Sequence, residues 1–152
     1  MSMGTNGTTI LHVEDDPNDV LLIGRAFRKA EVPAQIQVVN DGEQAVHYLS
    51  GSNAFSARDQ FPLPSLVLLD LKLPRKSGIE VLEWIRSQPG LKRIPVVMLT
   101  SSRQPIDINR AYDLGVNAYL VKPVNFDGLV EMVRTLDSFW RRLNEPPTLA
   151  AG

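Results

Sequence analysis

Five residues able to take part in phosphoryl chemistry stand at the ends of short apolar runs. Glu14 and Asp15 follow Thr9-Ile10-Leu11-His12-Val13, and Asp70 follows Leu66-Val67-Leu68-Leu69. Thr100 follows Pro95-Val96-Val97-Met98-Leu99, and Lys122 follows Ala118-Tyr119-Leu120-Val121. Three carboxylates in one place repel one another and raise one another's pKa, which a hard divalent cation relieves. Oxygen ligands with room for water suit Mg2+ or Mn2+. A cation beside a lone carboxylate, a hydroxyl and a fixed ammonium makes a place for a phosphoryl group, whose oxygens the cation and the lysine neutralise. Carboxylates are also nucleophiles that form aspartyl phosphates. Asp70 stands alone at a central strand end and is the nucleophile candidate.

These residues share a site only if the elements before them bring them together. Strand signals alternate with helix signals along the whole chain. Five strands are predicted at 9–13, 36–39, 66–69, 95–99 and 118–121. Between and after them five helices are predicted. The first is capped by Asp16 with Pro17 at its first position, and Val20, Ile23, Phe27 and Ala30 recur at helical spacing. The third opens on the capping box Ser77-Gly78-Ile79-Glu80. The fourth runs from about Ile106 to Leu114 and stops at Gly115, and the last is capped by Asn125 and runs to about Leu143. Gly51 to Pro64 has no apolar period and reads as an unusually long loop. Continuous apolar strands are buried on both faces, as in a parallel sheet between helices. In such a sheet all carboxyl ends lie on one edge, where ligands bind. The five polar residues are therefore expected to converge there.

Composition narrows the alternatives. The 152 residues carry 16 Lys plus Arg and 17 Asp plus Glu, a formal net charge of -1, with 43% hydrophobic residues. That length fits one domain with a sizeable core. The balanced charge argues against nucleic-acid binding, which needs a clustered basic surface. The absence of Cys excludes disulfides, thiolate metal sites and a Cys nucleophile. No apolar run approaches the roughly 18 residues of a membrane span, and the N-terminus lacks the features of a signal peptide. A soluble cytoplasmic protein is expected. Residues 8–143 are expected to form the domain. Residues 1–7 and 144–152 are expected to be disordered, the latter too few for an output module.

Val13-Glu14-Asp15-Asp16, Leu68-Leu69-Asp70-Leu71-Lys72-Leu73-Pro74, Ser77-Gly78, Met98-Leu99-Thr100-Ser101 and Tyr119-Leu120-Val121-Lys122-Pro123 together resemble the receiver domain of two-component response regulators. The resemblance spans roughly residues 8 to 143. It implies a flavodoxin-like (βα)5 fold with a five-stranded parallel sheet of order 2-1-3-4-5 and helices on both faces. It implies that Asp70 accepts a phosphoryl group from a histidine kinase. The implied cation is Mg2+ or Mn2+, held by Asp15, Asp70 and the Lys72 backbone carbonyl, with Glu14 acting mainly through bound water. Thr100 and Ser101 would contact the phosphoryl group, Lys122 would pair with it, and Tyr119 would be the aromatic switch. The Lys122–Pro123 bond would be cis. Glu14 departs from the Asp more common at its position, and its longer arm still reaches a cation through water. A narrower resemblance rests on the long loop 51–64, the segment Leu91-Lys92-Arg93-Ile94-Pro95-Val96-Val97 and the ending Ser138-Phe139-Trp140. It points to the stand-alone regulators of bacterial phytochromes, so the kinase would be a red-light photoreceptor.

Each of these residues also has a plain structural explanation. A strand-end Asp can cap a turn, a lone Thr can bond a turn amide, and a lone Lys is usually solvated. Tyr119 can be simple packing. His12 reads as core and His47 as surface. In the last helix, Phe126, Leu129, Val130, Val133, Leu136 and Trp140 form one stripe. Met132, Phe139 and Leu143 lie partly off it, so they and Trp140 are candidates for a homodimer face with the fourth helix and fifth strand. Two rivals stand beside a phosphorylated switch that catalyses its own phosphorylation and dephosphorylation without being a turnover enzyme. One is a phosphate-independent dimeric adaptor. The other is a small Asp-nucleophile phosphohydrolase, disfavoured because Lys72 stands where that chemistry wants a second acid.

Overall fold

Alternating apolar strands and amphipathic helices dictate a three-layer arrangement. In the computed structural model, which describes residues 8–149, strands β1 (Thr9–Val13), β2 (Gln35–Val39), β3 (Leu66–Leu69), β4 (Val96–Thr100) and β5 (Ala118–Val121) form one sheet of order β2-β1-β3-β4-β5. All four pairings are parallel. Helices α1 (Pro17–Lys29), α2 (Gly42–Ser50), α3 (Gly78–Ser87), α4 (Pro105–Asp113) and α5 (Phe126–Leu136) connect the strands or, with α5, end the domain. This is the flavodoxin-like receiver fold.

Alternation along each strand divides the core in two. Leu11, Val13, Val67, Leu69, Val96 and Met98 face α2 and α3, while Ile10, Leu66, Leu68, Val97 and Leu99 face α1 and α5. The three inner strands are buried throughout, but both edge strands are only partly covered, and Val38 is 39% exposed. The predicted strand Ile36-Gln37-Val38-Val39 forms, and at the sheet edge it has a neighbour on one side only.

Local chemistry sets the helix ends. Asp16 accepts from Asn18 N at 2.9 Å ahead of Pro17, and Ser77 and Glu80 complete their capping box. Asn125 accepts from Gly128 N at 2.7 Å. The long final helix changes winding: α5 stops at Leu136 and Asp137–Leu143 continues as a wider π-helical segment. The 51–64 stretch contains a short 3-10 turn, Asn53–Phe55, and it packs Phe55 and Phe61 onto the core around Tyr48 of α2. Tyr48, Phe55 and Phe61 stack with centroids 5.2 to 6.0 Å apart. Arg58 donates to the carbonyls of Tyr48, Leu49 and Phe61 at 2.8 to 3.0 Å. These non-periodic contacts order a segment that carries no periodic signal.

Residues 145–149 have no regular structure, but they pack back on the domain rather than hanging free. The Thr148 carbonyl accepts from Arg93 at 3.2 Å and Leu149 rests on the core. The expected disorder of 1–7 and of 150–152 lies outside the described residues. No helix among the described residues is long and apolar enough to cross a membrane.

Candidate functional site

Strand register places the reactive residues. Val13 is paired with Val39 on one side and Leu69 on the other, so Glu14 and Asp70 emerge side by side. The backbone ladder continues one residue past each strand. Glu14 N donates to Val39 O at 3.0 Å, Asp70 N to Val13 O at 3.1 Å, and Lys122 N to Thr100 O at 2.8 Å. Three functional side chains are therefore mounted on backbone as fixed as the sheet. Thr100 itself ends β4 opposite Val121.

Asp70 is nearly buried, and its Oδ1 accepts from Leu71 N at 2.8 Å, leaving Oδ2 toward Lys122 at 3.5 Å. Lys122 reaches over the strand ends to Glu14 Oε1 at 2.8 Å and Asp19 Oδ2 at 2.8 Å. Glu14 is 1% exposed, and its other oxygen accepts from Asp16 N at 3.2 Å. Burial pushes the Glu14 carboxyl up to about 7, although its hydrogen bond from Lys122 opposes the rise. For Lys122, burial works against the charge, but the hydrogen bonds to Asp19 and Glu14 and the field of Asp70 outweigh it and hold the ammonium above its ordinary value. One cation thus faces three carboxylates, with Asp15 exposed close by.

The excess negative charge matches a hard cation. Glu14, Asp15 and Asp70 offer carboxylate oxygens within 4.8 Å of one another, a span that short bonds to one divalent ion can gather. Beside them a cleft of about 460 Å3 is lined by Asp70, Lys72, Thr100, Ser101, Gln104 and Lys122. Thr100 is 3% exposed, and its hydroxyl accepts from Ser102 N at 3.4 Å. The half-buried Tyr119 donates from its hydroxyl to Ser102 O at 3.0 Å, and burial raises its phenol above the ordinary value. Ser102 also donates to Asp107 at 2.5 Å, so it ties Thr100, Tyr119 and the start of α4 together.

The structure brings together Glu14, Asp15, Asp70, Thr100 and Lys122, with Lys72 and Ser101 on the rim. It differs from expectation at one bond: Lys122–Pro123 is trans, and no cis peptide occurs among the described residues. Trans is the lower-energy X–Pro isomer by about 0.5–1 kcal/mol. Sequence reasoning missed Asp19 and Ser102. Spacing does not mark Asp19, because Asp15 precedes the N-cap Asp16 and the turn that carries Asp19 begins only at Pro17. Of the four dimer-face candidates, Phe139 and Leu143 are 49% and 73% exposed, whereas Met132 and Trp140 pack partly on the core. Phe139 and Trp140 stack edge to face at 4.6 Å.

His12 lies beneath this site, 2% exposed, with Nδ1 lacking a partner. Burial, reinforced by Lys122, lowers its pKa to about 4. Between pH 6.5 and about 4 the unfolded chain takes up a proton at His12 that the folded chain refuses, so this contribution to stability is lost as pH falls. Glu14, with its pKa raised, acts in the opposite direction and gains stability on acidification. The two are separated by comparing wild type with His12→Leu. The stability difference should move in favour of the variant by about 3 kcal/mol from pH 7 to pH 4 in urea titrations, from the size of the His12 shift.

A doubly wound sheet with acids, a hydroxyl and a lysine at its carboxyl edge is the arrangement of a receiver fold. The chain belongs to the response regulator receiver domain family, which it matches over residues 10–134. It is 40% identical to the response regulator Rcp1 of Synechocystis over 131 residues, 86% of this chain and 87% of that protein. The phosphorylated cyanobacterial phytochrome response regulator RcpA superposes with a TM-score of 0.85 at 40% identity, covering 93% of this chain and 99% of the other. Response regulator RPA3017, from red light signaling of R. palustris, gives 0.88 at 38% identity with the same coverages. Rcp1 has also been crystallised with Mn2+ bound.

Proposed function

We propose that this receiver takes a phosphoryl group on Asp70 from the phosphohistidine of a kinase and thereby changes its affinity for a partner. The observation that carries the proposal is Asp70 at a central strand end, with one carboxylate oxygen facing Lys122 and the acidic pair beside it. In the transfer the phosphorus–nitrogen bond breaks and a phosphorus–oxygen bond to Asp70 forms. The electron pair and a proton end on the departing imidazole. Asp15 and Asp70 would hold Mg2+ or Mn2+, with the Lys72 carbonyl, and with Glu14 through water. The cation would neutralise the phosphoryl oxygens. Lys122 and the Thr100 hydroxyl take up the remaining charge, and Ser101 lies within the same cleft. Movement of Thr100 pulls on Ser102, and through it on Tyr119 and α4. Hydrolysis of the acyl phosphate resets the switch, so the protein acts once per phosphoryl group and not as a turnover enzyme.

The kinase is proposed to be a phytochrome, on the likeness to RcpA and RPA3017. Self-association is proposed through a second copy seated on the apolar groove of about 440 Å3 lined by Leu120, Met132, Thr135, Leu136, Phe139 and Trp140. Sedimentation with and without phosphorylation tests this, and a monomer under both conditions would overturn it. The setting is proposed to be the cytoplasm, where histidine kinases deliver phosphate.

The test of the core reading is intact mass after incubation with Mg2+ and acetyl phosphate, where one added phosphoryl group is expected. Asp15→Asn should weaken Mg2+ binding about tenfold or more by calorimetry, since removing one charged ligand of a three-carboxylate set costs at least the ~1.4 kcal/mol of a tenfold change.

A further inference from the structure

Lys122 has more acceptors than phosphoryl binding requires. Its ammonium carries three hydrogens, and three carboxylates surround it: Glu14 and Asp19 at 2.8 Å and Asp70 at 3.5 Å. The two close partners are not the phosphoacceptor. One of them, Asp19, belongs to neither the cation-competent trio nor a strand end; it sits in the first turn of α1. An incoming phosphoryl group adds anionic oxygens, and the ammonium must leave a carboxylate to donate to them. Leaving Glu14 would strand a buried charge, since that side chain is 1% exposed. Leaving Asp19 strands nothing, because its side chain is 30% exposed and water can replace the lysine.

We propose that Asp19 is a positioning residue that parks the Lys122 ammonium away from Asp70 in the resting protein and releases it to the phosphoryl group. This deepens the phosphoacceptor reading and rests on it. The parked lysine leaves Asp70 less neutralised and better able to attack. It also makes phosphoryl uptake compete with the Lys122–Asp19 pair, and that competition is the larger effect because Asp70 is already the most distant of the three acceptors.

The experiment compares wild type, Asp19→Asn and Asp19→Glu, each with Mg2+ and acetyl phosphate, at low salt and in 1 M salt. Asp19→Asn should take up phosphate about three- to five-fold faster, the scale of a partly exposed ion pair. The difference should persist in salt, where screening over about 3 Å removes the general repulsion of an anionic donor. Asp19→Glu should restore the slower rate. An unchanged rate in Asp19→Asn, a difference abolished by salt, or no restoration by Asp19→Glu overturns the proposal. A second readout needs no phosphorylation: trace acetylation by acetic anhydride, read at Lys122 by peptide mass, should rise in Asp19→Asn because the amine, held then by Glu14 and Asp70 only, is less tightly bound and more available to the reagent. Unchanged labelling overturns the parking of Lys122 even where the phosphoacceptor reading stands. A wild type that takes up no phosphate overturns that reading, and the release step with it.

Discussion

Asp70→Asn is expected to fold normally and to take up no phosphoryl group, where wild type takes up one. The amide is nearly isosteric and its oxygen can still accept from Leu71 N, so the loop after β3 keeps its anchor. What it lacks is the second anionic oxygen, which would make the proposed attack and which completes the acidic trio. No other acid can replace it. Glu14 is engaged by Lys122 and by Asp16 N, and Asp15 is exposed beyond the cleft edge. Intact mass after acetyl phosphate and Mg2+ checks the loss, and thermal unfolding of the same sample checks the fold.

Gly78→Ala is expected to cost about 3 kcal/mol, the upper range for overpacking a close contact. For a chain of this size that lowers the midpoint of thermal unfolding by roughly 6–12 °C. A Cβ at position 78 would lie 2.0 Å from the Asp70 carbonyl oxygen and 2.9 Å from Leu71 Cα, both backbone atoms that cannot swing aside. Gly78 N also donates to Leu71 O at 2.9 Å, so helix α3 begins in direct contact with the loop that follows Asp70. The variant should therefore lose phosphoryl uptake together with stability, because relief of the clash moves Asp70. Gly24→Ala is the control: its Cβ meets only the end of Arg28 at 3.5 Å, so unfolding and uptake should stay near wild type.

The strand-end site was legible because an apolar run that stops abruptly at a polar residue marks both the strand and what it delivers. β3 and β5 begin and end where the composition changes, and parallel topology then brings Asp70 and Lys122 to one edge. The partners of Lys122 were not legible. Its reach to Asp19 depends on how the Asp16 and Pro17 start aims the first turn of α1 over the sheet, a rotation that spacing alone leaves open. The 51–64 stretch hid its order for a different reason. One arginine gathering three carbonyls, and an aromatic trio, leave no period to detect. The change to π-helical winding at Asp137 leaves the amphipathic pattern in place, so the last helix reads as one piece. The expected cis bond at Pro123 came from the resemblance and not from the residues, and the trans bond shows the limit of carrying a family feature onto one chain.

Chemical trapping of the phosphorylated residue tests the central claim most directly. Borohydride reduces an acyl phosphate to an alcohol, so treatment of wild type after acetyl phosphate and Mg2+ should convert Asp70 alone to homoserine in the peptide map. Homoserine at another acid, or a stable phosphoryl group that resists borohydride, would contradict the assignment of Asp70 as the phosphoacceptor.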